Sequence, residues 1–147
     1  MTDKTCKQKS LEQKVVMHIE DDSMLRDIVR DFLEMSGLNV VSVESLAEFY
    51  KWHEQNQSAD FYISDGNLEH EDAWEDVARY LTELSQKNAN RIRGMIVVSG
   101  TLKEPERYRQ YPIIKGTIWK PLDFFKMTEL VNKCLAGDYR EEFFNVQ

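Results

Sequence analysis

The sequence predicts an α/β fold, a five-stranded parallel sheet with helices on both faces. Three observations point there. Short unbroken apolar runs alternate with longer amphipathic stretches five times. The apolar runs lack the in–out alternation of a half-exposed strand, which suits strands buried on both faces. Polar, chemistry-bearing residues collect where these runs end. Alternation of this kind implies βαβ units with right-handed crossovers.

The elements follow in order. "KVVMHI" (14–19) is an apolar run that stops at Glu20, Asp21 and Asp22, and it predicts the first strand. "SMLRDIVRDFLEMSG" (23–37) places Met24, Leu25, Ile28, Val29, Phe32 and Leu33 at helical spacing, with Asp22 or Ser23 as cap and Gly37 as stop. "LNVVSV" (38–43) reads as a strand and "SLAEFYKWHEQNQ" (45–57) as a helix capped near Ser45. "DFYISD" (60–65) predicts the third strand and "AWEDVARYLTELSQ" (73–86) an amphipathic helix. "GMIVVSG" (94–100) is the most apolar strand. "EPERYRQY" (104–111) makes a short helix, with Pro105 in its first turn and Pro112 at its end. "KGTIWK" (115–120) is the fifth strand and "PLDFFKMTELVNKCLAG" (121–137) the last helix.

The chain has 147 residues, 41% of them hydrophobic, enough for one domain with a real core. Its formal net charge of −7 disfavours nucleic acid and anionic membrane surfaces as bulk electrostatic partners. No apolar stretch approaches the roughly 20 residues that a membrane span needs. Residues 1–13 are polar, read as a flexible segment, and hold no apolar core for a signal peptide. Cys6 and Cys134 form neither a disulfide framework nor a metal-type spacing, so a reduced, cytoplasmic setting is expected.

Functional information lies at the strand ends. The first strand ends in Glu20-Asp21-Asp22, the third in Asp65, the fourth in Ser99 and the fifth in Lys120-Pro121. Open α/β sheets bind ligands beyond the carboxyl ends of their strands, at the topological switch point. With the flavodoxin-like strand order 2-1-3-4-5, that crevice lies between the first and third strands. It sets the acid cluster opposite Asp65, with Ser99 and Lys120 to one side. Crowded carboxylates call for a hard cation such as Mg²⁺. A carboxylate is a competent nucleophile for phosphoryl transfer, which otherwise needs positioning and charge neutralisation. For Asp65 the plain alternative is a strand that ends in an Asp-Gly turn.

Residues 14–136 resemble the receiver (CheY-like) domains of two-component response regulators. "VVMHIEDDSMLRDIV" carries the acid pair Glu20 and Asp21, "FYISDGNL" the position of Asp65, "IVVSG" that of Ser99 and "IWKPLD" the Lys120-Pro121 pair. The resemblance implies that Asp65 is the phosphoacceptor, assisted by Ser99 and Lys120. It also implies that Glu20, Asp21, Asp65 and the Asn67 backbone carbonyl hold Mg²⁺. The phosphoryl donor would be a sensor histidine kinase or a histidine phosphotransfer protein. Output would pass to a downstream protein by contact or phosphorelay, with no further catalytic activity. Residues 137–147 then form a short tail on a stand-alone receiver.

Some positions depart from the family pattern. Thr117 stands where an aromatic residue is usual, and Glu69 where a Pro is usual. "YPIIKG" follows a fourth helix that is short. These departures leave room for a receiver-like binding module that is never phosphorylated. A haloacid-dehalogenase-like phosphatase would also use an Asp nucleophile with Mg²⁺. It wants a DxD motif at the first strand's end, where this chain has Glu-Asp-Asp-Ser. Among the remaining polar and aromatic residues, His18 is expected to be a hydrogen-bonded core residue and His70 a solvated loop residue, with a modulating role in phosphate hydrolysis as a minor reading. Trp52, Trp74, Phe124 and Phe125 are expected in the packing. Trp119, Phe143 and Phe144 are read as exposed aromatics that mark a docking surface. Asn67 and Thr101 lie where they would influence the lifetime of an aspartyl phosphate.

Overall fold

The computed structural model describes residues 14–87 and 91–147. The segment 1–13 and Cys6 lie outside the described residues. Five strands alternate with five helices: β1 Val15–Ile19, α1 Ser23–Met35, β2 Asn39–Val43, α2 Leu46–His53, β3 Phe61–Asp65, α3 Ala73–Lys87, β4 Gly94–Ser99, α4 Pro105–Arg109, β5 Ile114–Trp119 and α5 Phe124–Leu135. The sheet is parallel, in the order β2-β1-β3-β4-β5. Every strand therefore points its carboxyl end the same way, and the reversal of order falls between β1 and β3.

The sheet separates two apolar clusters. Met17, Ile19, Tyr62 and Val97 face Phe49 of α2, Trp74 and Leu81 of α3, and Tyr108 of α4. Val16, Phe61, Ile63, Ile96 and Ile118 face Val29 and Leu33 of α1 and Met127 and Val131 of α5. Neighbouring residues of one strand thus enter opposite cores, as the pleat requires. All residues of β3 and β4 are buried, which accounts for their unbroken apolar runs.

Caps set the helix boundaries. Asp22 Oδ1 accepts from the backbone N–H of Met24 and Leu25, at 3.0 and 3.1 Å, and opens α1. Asp123 does the same for Phe125 and Lys126, both at 3.1 Å, so the last helix starts at Phe124, after Pro121. Ser45 caps α2 through Glu48 N. That helix ends at His53, short of the expected Gln57, and the chain turns through Asn56 in the left-handed region. The short fourth helix spans only Pro105–Arg109.

Residues 138–147 are packed on the domain. A short 3₁₀ turn at Glu141–Phe143 precedes an isolated parallel bridge between Val146 and Ile118, beside β5. Phe143 is buried, and Trp119 and Phe144 are half-buried, which corrects their reading as exposed aromatics. Phe125, expected in the packing, is 77% exposed. Among the described residues, no helix is long and apolar enough to cross a membrane.

Candidate phosphoryl-transfer site

The four polar strand ends meet. Glu20 follows β1 directly, and its N–H donates to Val43 O at 3.0 Å, which keeps the chain laddered one residue beyond the strand. Its side chain is buried. Asp65 closes β3 and is buried too, while Asp21 is exposed. One carboxylate oxygen from each of Glu20, Asp21 and Asp65 lies within 4.8 Å of the others. Asp22, the third acid of the run, is committed to capping α1.

Lys120 holds this cluster together. Its Nζ lies 2.9 Å from Glu20 Oε1 and 3.4 Å from Asp65 Oδ2. Its N–H donates to Ser99 O at 2.9 Å, so the β4–β5 ladder sets where the side chain leaves the sheet. Burial lowers the Lys120 pKa, but Glu20 and Asp65 outweigh it and the net shift is upward. The ammonium is therefore secure. Burial pushes the Glu20 carboxyl up to about 7; the Lys120 hydrogen bond opposes this and the Asp65 charge adds to it. Glu20 is thus a buried acid that shares one ammonium with Asp65.

The other wall is a hydroxyl and amide network. Asn67 N donates to Asp65 Oδ1 at 3.2 Å. Asn67 Nδ2 donates to Thr101 Oγ1 at 2.8 Å and, more weakly, to Ser99 Oγ at 3.4 Å. Ser99 Oγ also accepts from Thr101 N at 3.0 Å. Gly66 makes the arrangement possible. Its N–H pairs with Val98 O at 2.9 Å, and a Cβ there would lie 2.9 Å from Ser99 Cβ. Gly66 thus adds one ladder bond beside β4 at the bend where the chain leaves β3, and a side chain is excluded there.

The structure brings together Glu20, Asp21, Asp65, Asn67, Ser99 and Lys120. Arg26 is an addition the sequence did not single out. Its Nη1 donates to Glu20 O at 2.7 Å and so braces the backbone under the acid pair. The only hint was a basic residue one turn into α1. His18 is a correction. It is buried, yet its Nδ1 has no hydrogen-bond partner. Burial, then the charges of Lys120 and Arg26, lower its pKa to about 3, so the ring is neutral. His70 is exposed as expected and pairs with Asp76 at 2.9 Å. Glu69, at the position where Pro is usual, accepts from Leu46 N at 2.9 Å and adds to the α2 cap.

No family model and no curated protein matches the sequence. Solved structures do match. A response regulator receiver protein from Sinorhizobium medicae superimposes with a TM-score of 0.69 at 19% identity, over 87% of this chain and 98% of that one. A response regulator receiver domain from Clostridium thermocellum gives 0.68 at 17% identity, over 84% and 94%. The receiver domain of the hybrid histidine kinase CckA gives 0.60 at 19% identity, over 82% and 98%. This chain has the receiver fold. At such low identity the shared property is the fold, so the chemistry must be argued from the residues above.

The receiver fold places the candidate residues on four separate strand ends, and the strand order delivers them to one crevice. Three carboxylate donors within reach of one another could hold a hard divalent cation such as Mg²⁺.

Proposed function

We propose that the chain is a phosphoryl-accepting receiver with Asp65 as the acceptor. One observation carries the reading: Lys120 Nζ bridges Glu20 and Asp65 across the switch point of the sheet. An oxygen of Asp65 attacks phosphorus in a phosphohistidine of a sensor kinase or phosphotransfer protein. The O–P bond forms, the P–N bond breaks, and the imidazole nitrogen keeps the electron pair. Lys120 is placed to move from Asp65 Oδ2 to a phosphoryl oxygen, and Ser99 Oγ to donate to another. Glu20, Asp21, Asp65 and the Asn67 carbonyl would hold Mg²⁺, which when bound neutralises charge on the transferring group. Asn67 and Thr101 line the hydroxyl wall, where they would control the approach of hydrolytic water.

A docking face for the donor lies next to the acids. Met24 (72% exposed) and Ile28 (37%) continue along α1 to Phe32. Phe32 stacks on Phe124 and meets Phe125 edge-on, with centroids 5.2 and 5.1 Å apart. The stripe begins two residues after Glu-Asp-Asp and suits the apolar face of a partner helix. Output would pass to a downstream protein by contact or by relay of the phosphoryl group, and a cytoplasmic setting fits such partners.

Intact mass after incubation with Mg²⁺ and acetyl phosphate tests the reading. A single phosphoryl adduct is expected on the wild type, and none on Asp65→Asn. No adduct on the wild type, together with no binding of beryllofluoride, would overturn it and leave an unphosphorylated binding module.

A further inference from the structure

The loop after Asp65, residues 66–72, is tied to its neighbours by its own side chains. Glu69 bonds Leu46 N at the start of α2, and Glu71 Oε1 lies 3.0 Å from Lys103 Nζ. The tie with the shortest reach into the site runs through Asn67. Its carboxamide is one rigid plane with both ends committed. Nδ2 donates to Thr101 Oγ1 on the hydroxyl wall, and Oδ1 accepts from Asp72 N at 3.1 Å. Asn67 is exposed, and the last torsion of an Asn side chain is soft, so the second bond is what stops the plane from turning.

Asp72 presents this N–H from an uncommon conformation. Its φ of 62° lies in the left-handed region, which a non-glycine residue holds only when its surroundings fix it. Two donors fix its carboxylate. Trp74 Nε1 donates to Oδ1 at 3.1 Å, and Arg107 Nη2 donates to Oδ2 at 3.0 Å. Trp74 is buried and packs on Tyr108 of α4, with ring centroids 4.6 Å apart, so the indole is a fixed point. Arg107 is the adjustable partner. Its side chain is 42% exposed, where salt screens an ion pair.

We propose that Asp72 and Arg107 are positioning residues that set the lifetime of the phosphoryl group on Asp65. The proposal rests on the acceptor reading. The adduct is lost when a water oxygen attacks phosphorus. A new O–P bond forms as the bond to Asp65 breaks, and the carboxylate keeps the electron pair. The protons of the water pass to the phosphate product and to solvent. Asn67 N bonds Asp65 Oδ1 at 3.2 Å, so its side chain stands beside the reacting group. While both ends of its amide are bonded, Asn67 cannot turn to orient that water. Releasing Asp72 frees the amide, its oxygen accepts from the water, and hydrolysis quickens.

Arg107→Gln and Asp72→Asn test this in the full chain. Asn tolerates the left-handed region and can still accept from Trp74, so the ion pair alone is lost. Cooperative urea unfolding confirms that each variant is folded. Without a phosphoryl donor, amide hydrogen exchange at position 72 should quicken about threefold in both variants. Intact mass then follows the adduct after loading with acetyl phosphate and Mg²⁺ and removal of the donor. Its lifetime should shorten about threefold in both, the scale of one partly exposed ion pair. The initial rate of adduct formation should change less than about twofold, because the acids, Ser99 and Lys120 are untouched. Arg107→Lys should restore most of the lifetime. About 1 M NaCl should shorten the wild-type lifetime and leave that of Arg107→Gln unchanged. Equal lifetimes in the wild type and both variants overturn the proposal. So does unchanged exchange at position 72, or slower formation with an unchanged lifetime. No adduct on the wild type would overturn the acceptor reading and this proposal with it, and the mass at time zero tells the two failures apart.

Discussion

Replacing Glu20 by Gln isolates the electrostatics of the site through pH-dependent stability. The Glu20 carboxyl is raised from 4.5 to about 7 in the folded protein, first by burial and then by Asp65, against the pull of Lys120. Each pKa unit corresponds to about 1.4 kcal/mol, so folding favours the protonated form by about 3 kcal/mol. The folded state binds more protons than the unfolded chain between these two values. This stabilisation is therefore fully present below pH 4.5 and is lost as pH rises through 7. Other groups titrate in the same range; neutral His18, lowered to about 3, makes stability rise with pH between 3 and 6.5. Subtracting the Glu20→Gln profile from the wild-type profile removes those shared contributions. Urea unfolding in EDTA, followed from pH 4 to 8, should show the wild type losing about 3 kcal/mol relative to the variant. Saturating Mg²⁺ should flatten the difference by favouring the carboxylate. Parallel profiles for the two proteins would refute the claim that Glu20 is an undercompensated buried acid.

Gly66→Ala should press a methyl group onto Ser99 and slow adduct formation from acetyl phosphate by about tenfold or more, if misplacing one hydrogen-bond donor costs what such changes cost elsewhere; an unchanged rate on mass spectrometry would remove Ser99 from the mechanism. In Tyr62→Phe, the partners of a buried hydroxyl that donates to His53 Nε2 and accepts from Ala59 N, at 2.7 and 2.9 Å, are both orphaned. A loss of about 2–3 kcal/mol in urea unfolding is expected. Thr117→Val keeps the shape but strands Asn145, its hydrogen-bond partner, so a loss of about 1–2 kcal/mol with faster exchange at the Asn145 amide is expected. Phe125→Ser should leave stability within about 0.5 kcal/mol, because the ring is largely in solvent. It should nonetheless weaken phosphoryl transfer from a protein donor while sparing transfer from acetyl phosphate. Equal rates with both donors would argue against the α1–α5 docking face.

The architecture was legible from local pattern because strands buried on both faces need unbroken apolar runs, and helices on a sheet need a 3.6-residue stripe. The strand ends were legible for a related reason. Glu20, Asp65, Ser99 and Lys120 each interrupt an apolar run at the point where the chain leaves the core. What residue types could not convey was burial and pairing at long range. His18 looked like a core histidine with a partner, but whether a ring nitrogen is met depends on the strands packed beside it. Phe125 and Phe143 are both aromatic residues among polar ones, and in sequence they were read the opposite way round. Phe125 turns outward because Asp123 sets the phase of α5, while Phe143 turns inward because Gly116, 27 residues earlier, leaves room for its backbone. Local residue pattern sets the order of elements and the chemistry available at their ends. Packing in three dimensions adds that one lysine bridges two acids 45 residues apart, and that residues 143–146 close the edge of the sheet. Both depend on distances through space between segments that carry no local sign of one another.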